Sequence, residues 1–133
     1  MYIKQRLCMF ALLLMGSVAL AEAQNRIDDL VENYSTLGSS TFTSAVERNP
    51  QTHAVQRVVK VLESRGNNLS KIRKAFEDEQ ETGDFSVKTR DDEVTQLLTV
   101  EGKETNRIYM LQYEQFRRFG DWKVTIIVKY KNK

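Results

Sequence analysis

A general base working near neutral pH is most often a histidine, and this 133-residue chain has one, His53. It sits between Thr52 and Ala54, directly after Asn49-Pro50-Gln51, with no G-x-S-x-G in the chain and no motif around Ser44 or Ser64. That context favours a solvated turn histidine over a catalytic one. Carboxylates cluster at Glu77-Asp78-Glu79-Gln80-Glu81 and at Asp91-Asp92-Glu93. Calcium needs several loop oxygens at defined spacing, as in D-x-D-x-D-G, and neither cluster has it. The first falls on a helical pattern, so its carboxylates fan around the axis; the second is a turn that would hold a cation only weakly. A carboxylate pair for glycoside hydrolysis converges only in the fold. A small hydrolase using such a pair, or His53, therefore stands as the alternative reading.

The basic residues point to binding rather than chemistry. Arg117-Arg118, Lys123, Lys129, Lys131 and Lys133 surround Tyr113, Phe116, Phe119 and Trp122. Cations interleaved with aromatics bind anionic polymers or lipid head groups, and exposed Tyr and Arg are common anchors of protein interfaces. The candidate binding residues are Tyr113, Arg117, Arg118, Trp122 and Lys123. The competing reading is a solvated strand face whose lysines keep a sheet edge from pairing. Gly38, Gly66, Gly83, Gly102 and Gly120 are isolated turn glycines, and no phosphate-cradling loop exists. With one histidine and one cysteine, no metal or cofactor is expected.

Composition narrows the class. Twenty Lys+Arg against 18 Asp+Glu give a net charge of only +2, so no nucleic-acid partner is expected. The chain is 41% hydrophobic and 29% charged, the usage of an ordinary globular domain.

The amino terminus reads as an address. Lys4 and Arg6 precede an apolar run from Leu7 to Leu20, followed by small residues at Ala19, Ala21 and Ala23. This is the layout of a secretory signal peptide. Cleavage after Ala23 is preferred over Ala21, giving a leader at 1–23 and a single domain at 24–133. The run is shorter than the roughly 17 to 25 residues that span a bilayer, so no anchor is expected to remain. Cys8 lies at the start of the apolar run, which does not fit a lipoprotein. Cleavage removes Lys4, Arg6, Glu22 and Cys8, leaving 18 basic and 17 acidic residues over 110, with no cysteine. Such a domain is large enough to rely on its core alone.

The elements follow from periodicity. Ile27, Leu30, Val31 and Tyr34 carry helical spacing over Arg26 to Tyr34, with Asp28 and Asp29 in the first turn complementing the helix dipole. Thr41 to Arg48 and Ala54 to Leu62 flank an Asn-Pro turn and read as a hairpin. In its second arm Val55, Val59 and Val61 face one way and Val58 and Leu62 the other, which suggests cover on both sides. Asn67 or Asn68 is placed to cap a helix running to about Glu81 along Leu69, Ile72, Ala75 and Phe76. Arg73 with Glu77, and Lys74 with Asp78, make i,i+4 pairs on its outer face. Strands follow at Phe85 to Thr89, Glu93 to Val100, Arg107 to Glu114 and Trp122 to Lys131. In the last of these Trp122, Val124, Ile126, Val128 and Tyr130 alternate onto one face. The order α-β-β-α-β-β-β-β, with short turns, predicts an α+β fold: an antiparallel sheet of five to six strands with two helices on one face.

The stretches NYSTLGSSTFTSAVERNP, VVKVLES, NRIYMLQYE and WKVTIIVKYK resemble small exported proteins of Bacteroides-type bacteria, in the DUF5024 and DUF4252-like families of unknown function. The resemblance implies an exported α+β domain, assigns no activity and transfers no functional residue. The expectation from residues and resemblance together is a non-enzymatic binding module of the periplasm or cell surface. Its partner surface would be the solvent face of the sheet and the Tyr113–Trp122 hairpin, and its partner an envelope or cell-surface protein, or an anionic ligand.

Overall fold

A computed structural model describes residues 25–38, 40–65, 68–115 and 120–131. The expected leader at 1–23 with Cys8, and Asn67, Phe116, Arg117, Arg118, Phe119 and Lys133, lie outside the described residues. Among the described residues two helices, α1 (Arg26–Tyr34) and α2 (Leu69–Asp78), accompany six strands. The strands are β1 (Thr41–Arg48), β2 (Val55–Arg65), β3 (Asp84–Arg90), β4 (Glu93–Glu101), β5 (Thr105–Glu114) and β6 (Asp121–Tyr130). They form one open antiparallel sheet in the order β1-β2-β6-β5-β4-β3. The α+β class and element order read from periodicity are those of the structure.

α1 starts at a capping box. The Asn25 side chain accepts from the N–H groups of Ile27 and Asp28, and the Asp28 carboxylate accepts from the Asn25 N–H at 2.9 Å. Asp28 thus does more than complement the helix dipole, and it is buried. α2 buries Leu69, Ile72, Ala75 and Phe76 as the spacing requires. Its N-cap is Asn68, but that side chain makes no capping bond, so the capping role expected of it is not realised. The helix stops at Asp78, three residues before the expected Glu81, where a single 3₁₀ turn (Gln80–Thr82) takes over. Of the two i,i+4 pairs, Lys74–Asp78 forms at 3.7 Å, while the Arg73 guanidinium lies 5.0 Å over the Tyr113 ring.

Gly83 then leads the chain into β3 against β4. A Cβ there would stand 2.1 Å from the Thr99 carbonyl oxygen, so only glycine permits this approach. In the β1–β2 turn the Asn49 carboxamide accepts from Gln51 and Thr52 N–H, and His53 takes φ 62 to rejoin β2. β2 runs three residues past the expected Leu62, because Glu63, Ser64 and Arg65 pair with Lys123, Trp122 and Asp121 of β6.

Register divides the sheet into two faces. On one, Leu62, Leu98, Tyr109, Leu111, Val124 and Ile126 are buried and form a single core with Ile27, Val31, Ile72 and Phe76 of the helices. The helices reach the sheet through this face: Tyr34 meets Trp122 edge-on at 6.3 Å between ring centroids, and Tyr109 bonds Asp28. The other face carries Val59, Val61, Ile127, Ile108, Met110 and Leu97, which are half-buried and outside that core. Among the described residues, none of this face belongs to the core that the helices share. On this face of β2 Val59 and Val61 are only half-buried, short of the cover expected on both sides.

Candidate functional site

The solvent face of the sheet and the Tyr113–Trp122 hairpin were the expected partner surface, and register decides what the β5–β6 end presents. Tyr113 and Trp122 face each other across the two strands on the helix side. Trp122 is 2% exposed and Tyr113 6% exposed. Their expected exposure is therefore corrected: both rings are core, held by Tyr34 from α1 and Arg73 from α2. The Tyr113 hydroxyl also accepts from Gln96 Nε2 at 3.2 Å. The indole Nε1 of Trp122 and the Tyr34 hydroxyl are buried without a hydrogen-bond partner among the described residues. Burial pushes the Tyr34 phenol above its ordinary pKa. Of the five candidates only Lys123 is seen on the open face, half-buried between Glu63 of β2 and Gln112 of β5. Arg117 and Arg118 lie outside the described residues.

The lysines of β6 do not guard a sheet edge, contrary to the competing reading. β6 is interior, between β2 and β5; the edges are β1 and β3. Lys129 lies opposite Arg57 and Asn106 on the open face.

A concavity of about 500 Å³ opens at this end of the sheet. Its walls bring together Glu63 and Arg65 from β2, Glu93 from β4, Glu114 from β5, and Asp121 and Lys123 from β6. Arg65 pairs with Asp121 at 2.7 Å, both side chains well exposed, and Gln112 Nε2 donates to Glu93 at 3.3 Å. The charges described there are four carboxylates against two cations, so this part of the surface does not present the expected positive bias. His53 is not in the lining; it lies in the β1–β2 turn, while the concavity meets that hairpin at Thr41 and Glu63, its opposite end. Among the described residues no group of three or more His, Cys, Asp or Glu is arranged to hold a metal ion. No helix among them is long and apolar enough to cross a membrane.

The open face is the other half of the expected partner surface. Two adjacent rows cross it: Val61, Thr125, Met110 and Leu97, and beside them Val59, Ile127, Ile108 and Thr99. Charged and polar rows bound them on both sides, with Glu63 and Lys123 in one and Arg57, Lys129 and Asn106 in the other. At the β1 end, Arg57 closes a 2.8 Å ion pair with Glu47. Each strand shows the signal only as the apolar residues of the weaker parity. Register lines them up into a stripe. Comparison with protein-family models, with curated proteins and with solved structures finds no match to this chain.

Proposed function

We propose that the chain is an exported, non-enzymatic interaction domain whose working surface is the open face of the sheet. The observation that supports this is the largely apolar stripe from Val59 and Val61 to Leu97, which lies outside the core shared with the helices among the described residues and which charged rows frame. An apolar centre with a polar rim is the anatomy of a protein-binding surface, and contiguous apolar patches on soluble domains mark interaction sites. The partner class that fits is an envelope or cell-surface protein. An anionic ligand is a poorer fit, since the described concavity has more carboxylates than cations. The alternative, a small hydrolase, is left to the carboxylates of that concavity, because His53 stands at the other end of the β1–β2 hairpin.

Site-directed photo-crosslinking in the expressing cell tests this reading. A photoreactive residue at Ile108, on the open face, is expected to trap a defined partner. The same probe at Lys71, on the solvent side of α2, is not. Trapping should disappear when Ile127→Glu places a carboxylate beside the probe. Equal trapping from both positions, or none from Ile108, would sink the reading.

A further inference from the structure

We propose that β1 is a self-complementary sheet edge, at which two copies of the chain join antiparallel about a two-fold axis at Ser44 to make one continuous sheet.

Among the described residues β1 is a terminal strand, and all eight of its residues are exposed. An edge strand displays unpaired N–H and C=O groups, and proteins usually blunt it with charge, proline, bulges or a covering element. The opposite edge follows that rule: β3 carries Lys88 near its centre and Asp84 and Arg90 at its ends. β1 does not. Its run from Thr41 to Val46 has no charge and no proline. Its charges are confined to Glu47 and Arg48, where the register with β2 also shifts. An eight-residue strand left this open is a pairing surface.

The side chains say which partner fits. Phe42 is 36% exposed and Val46 51% exposed, although both point to the same face as the core, opposite Leu62 and Val58. They are placed symmetrically about Ser44. When two copies extend one sheet about a two-fold axis perpendicular to it, each residue meets one of its own parity. With the axis at Ser44, Phe42 meets Val46 of the second copy, twice, and Thr43 meets Ala45. Glu47 meets Thr41, so like charges stay apart. Placing the axis at Thr43 sets Phe42 against Ser44, and placing it at Ala45 sets Phe42 against Arg48. Only the Ser44 axis joins the two exposed apolar side chains, and such cross-strand pairs are the unit of sheet stabilisation. The partner is therefore a second copy of this chain rather than an unrelated strand. The two-fold closes the assembly, because each copy has spent its β1 edge and β3 remains charged. This inference does not depend on the open-face reading.

Sedimentation equilibrium of the protein expressed from its full sequence, over a wide concentration range, should show a reversible dimer. The variant Phe42→Glu/Val46→Glu opposes carboxylates at both contacts, while Lys60, on the same face of β2, supports the strand within each copy. It should weaken the dimer roughly tenfold or more, with the circular dichroism spectrum unchanged. A second variant keeps the test decisive if that one misfolds. Directly opposed residues of an antiparallel pair lie roughly 4.5 to 5.5 Å apart at Cα, within disulfide reach. In a Cys8→Ser background, Ser44→Cys should therefore oxidise to a covalent dimer, whereas Val87→Cys on the β3 edge should not. A monomer at every concentration, an unweakened dimer in the Glu variant, or equal crosslinking through Val87→Cys would overturn the proposal. Ile108→Glu on the open face should leave the dimer intact, so failure here and failure of the open-face reading are separable.

Discussion

The phenol of Tyr109 in β5 donates a 2.7 Å hydrogen bond to the carboxylate of Asp28 in α1, across 81 residues of chain. The same carboxylate closes the capping box of α1 and lies 3.6 Å from Arg107 Nη1, with its own side chain 7% exposed. One buried group thereby starts a helix and ties it to the middle of the sheet. Tyr109→Phe should cost about 1–3 kcal/mol, the usual loss when a buried acceptor of this kind loses a donor. Asp28→Ala should cost more, about 3–5 kcal/mol, because it also leaves the partly buried Arg107 charge without its partner. Urea denaturation of the two variants checks the order. An Asp28→Ala chain as stable as an ordinary surface variant would show that this carboxylate does not fix α1.

The same pair sets an alkaline limit. Burial, and then the negative charge of Asp28, push the Tyr109 phenol well above its ordinary value, with the Arg107 charge opposing. A raised pKa means the folded state keeps a proton that the unfolded chain releases. The contribution is whole below pH 10.0, the value for a free phenol, and is lost as pH climbs from there toward the folded value. Thermal midpoints should fall above that pH, and they should fall less steeply for Tyr109→Phe, which has nothing to titrate. Parallel curves for the two proteins would remove Tyr109 from the explanation.

Gly83 makes a backbone prediction with no side chain involved. Its φ of −168 is extended and open to any residue, so the constraint is space, not backbone angle. A methyl group 2.1 Å from the Thr99 carbonyl oxygen forces β3 away from β4. Gly83→Ala should cost about 1–3 kcal/mol, the range for overpacking a close contact. Hydrogen exchange should localise the loss to the β3–β4 ladder. An unchanged ladder would mean that the approach relaxes freely.

Periodicity was readable wherever a residue's face followed from its neighbours. The alternation from Trp122 to Val128 and the spacing of Ile27 and Val31 marked β6 and α1 because a strand repeats every two residues and a helix every 3.6. Long-range pairing left no such mark. Ser64 and Arg65 are polar and carry no pattern; they are strand only because Trp122 and Asp121 lie beside them. For the same reason β6 could not be recognised as interior, and its lysines read as edge guards. Tyr113 and Trp122 beside cations read as a binding patch or a solvated strand face, and only the tertiary contacts of Tyr34 and Arg73 make them core instead. The neutral run of β1 is ambiguous in the same way, since a central strand and an unguarded edge share that composition.

Ile126 and Ile127 separate the two faces with identical chemistry. They are adjacent in β6; Ile126 is 1% exposed beneath the helices, and Ile127 is half-buried on the open face. Ile126→Ala removes packed methyl groups and leaves a cavity, so it should cost about 2–5 kcal/mol. Ile127→Ala loses contacts only with its neighbours in the sheet and should cost about 1 kcal/mol or less, in line with positions away from the core. Its larger effect should appear in partner capture, where the stripe is interrupted at its centre. Chemical denaturation of both variants, done on the isolated protein, measures the difference. Equal costs would mean that the second face is packed in the isolated protein as the first is, and a packed face is not available to a partner.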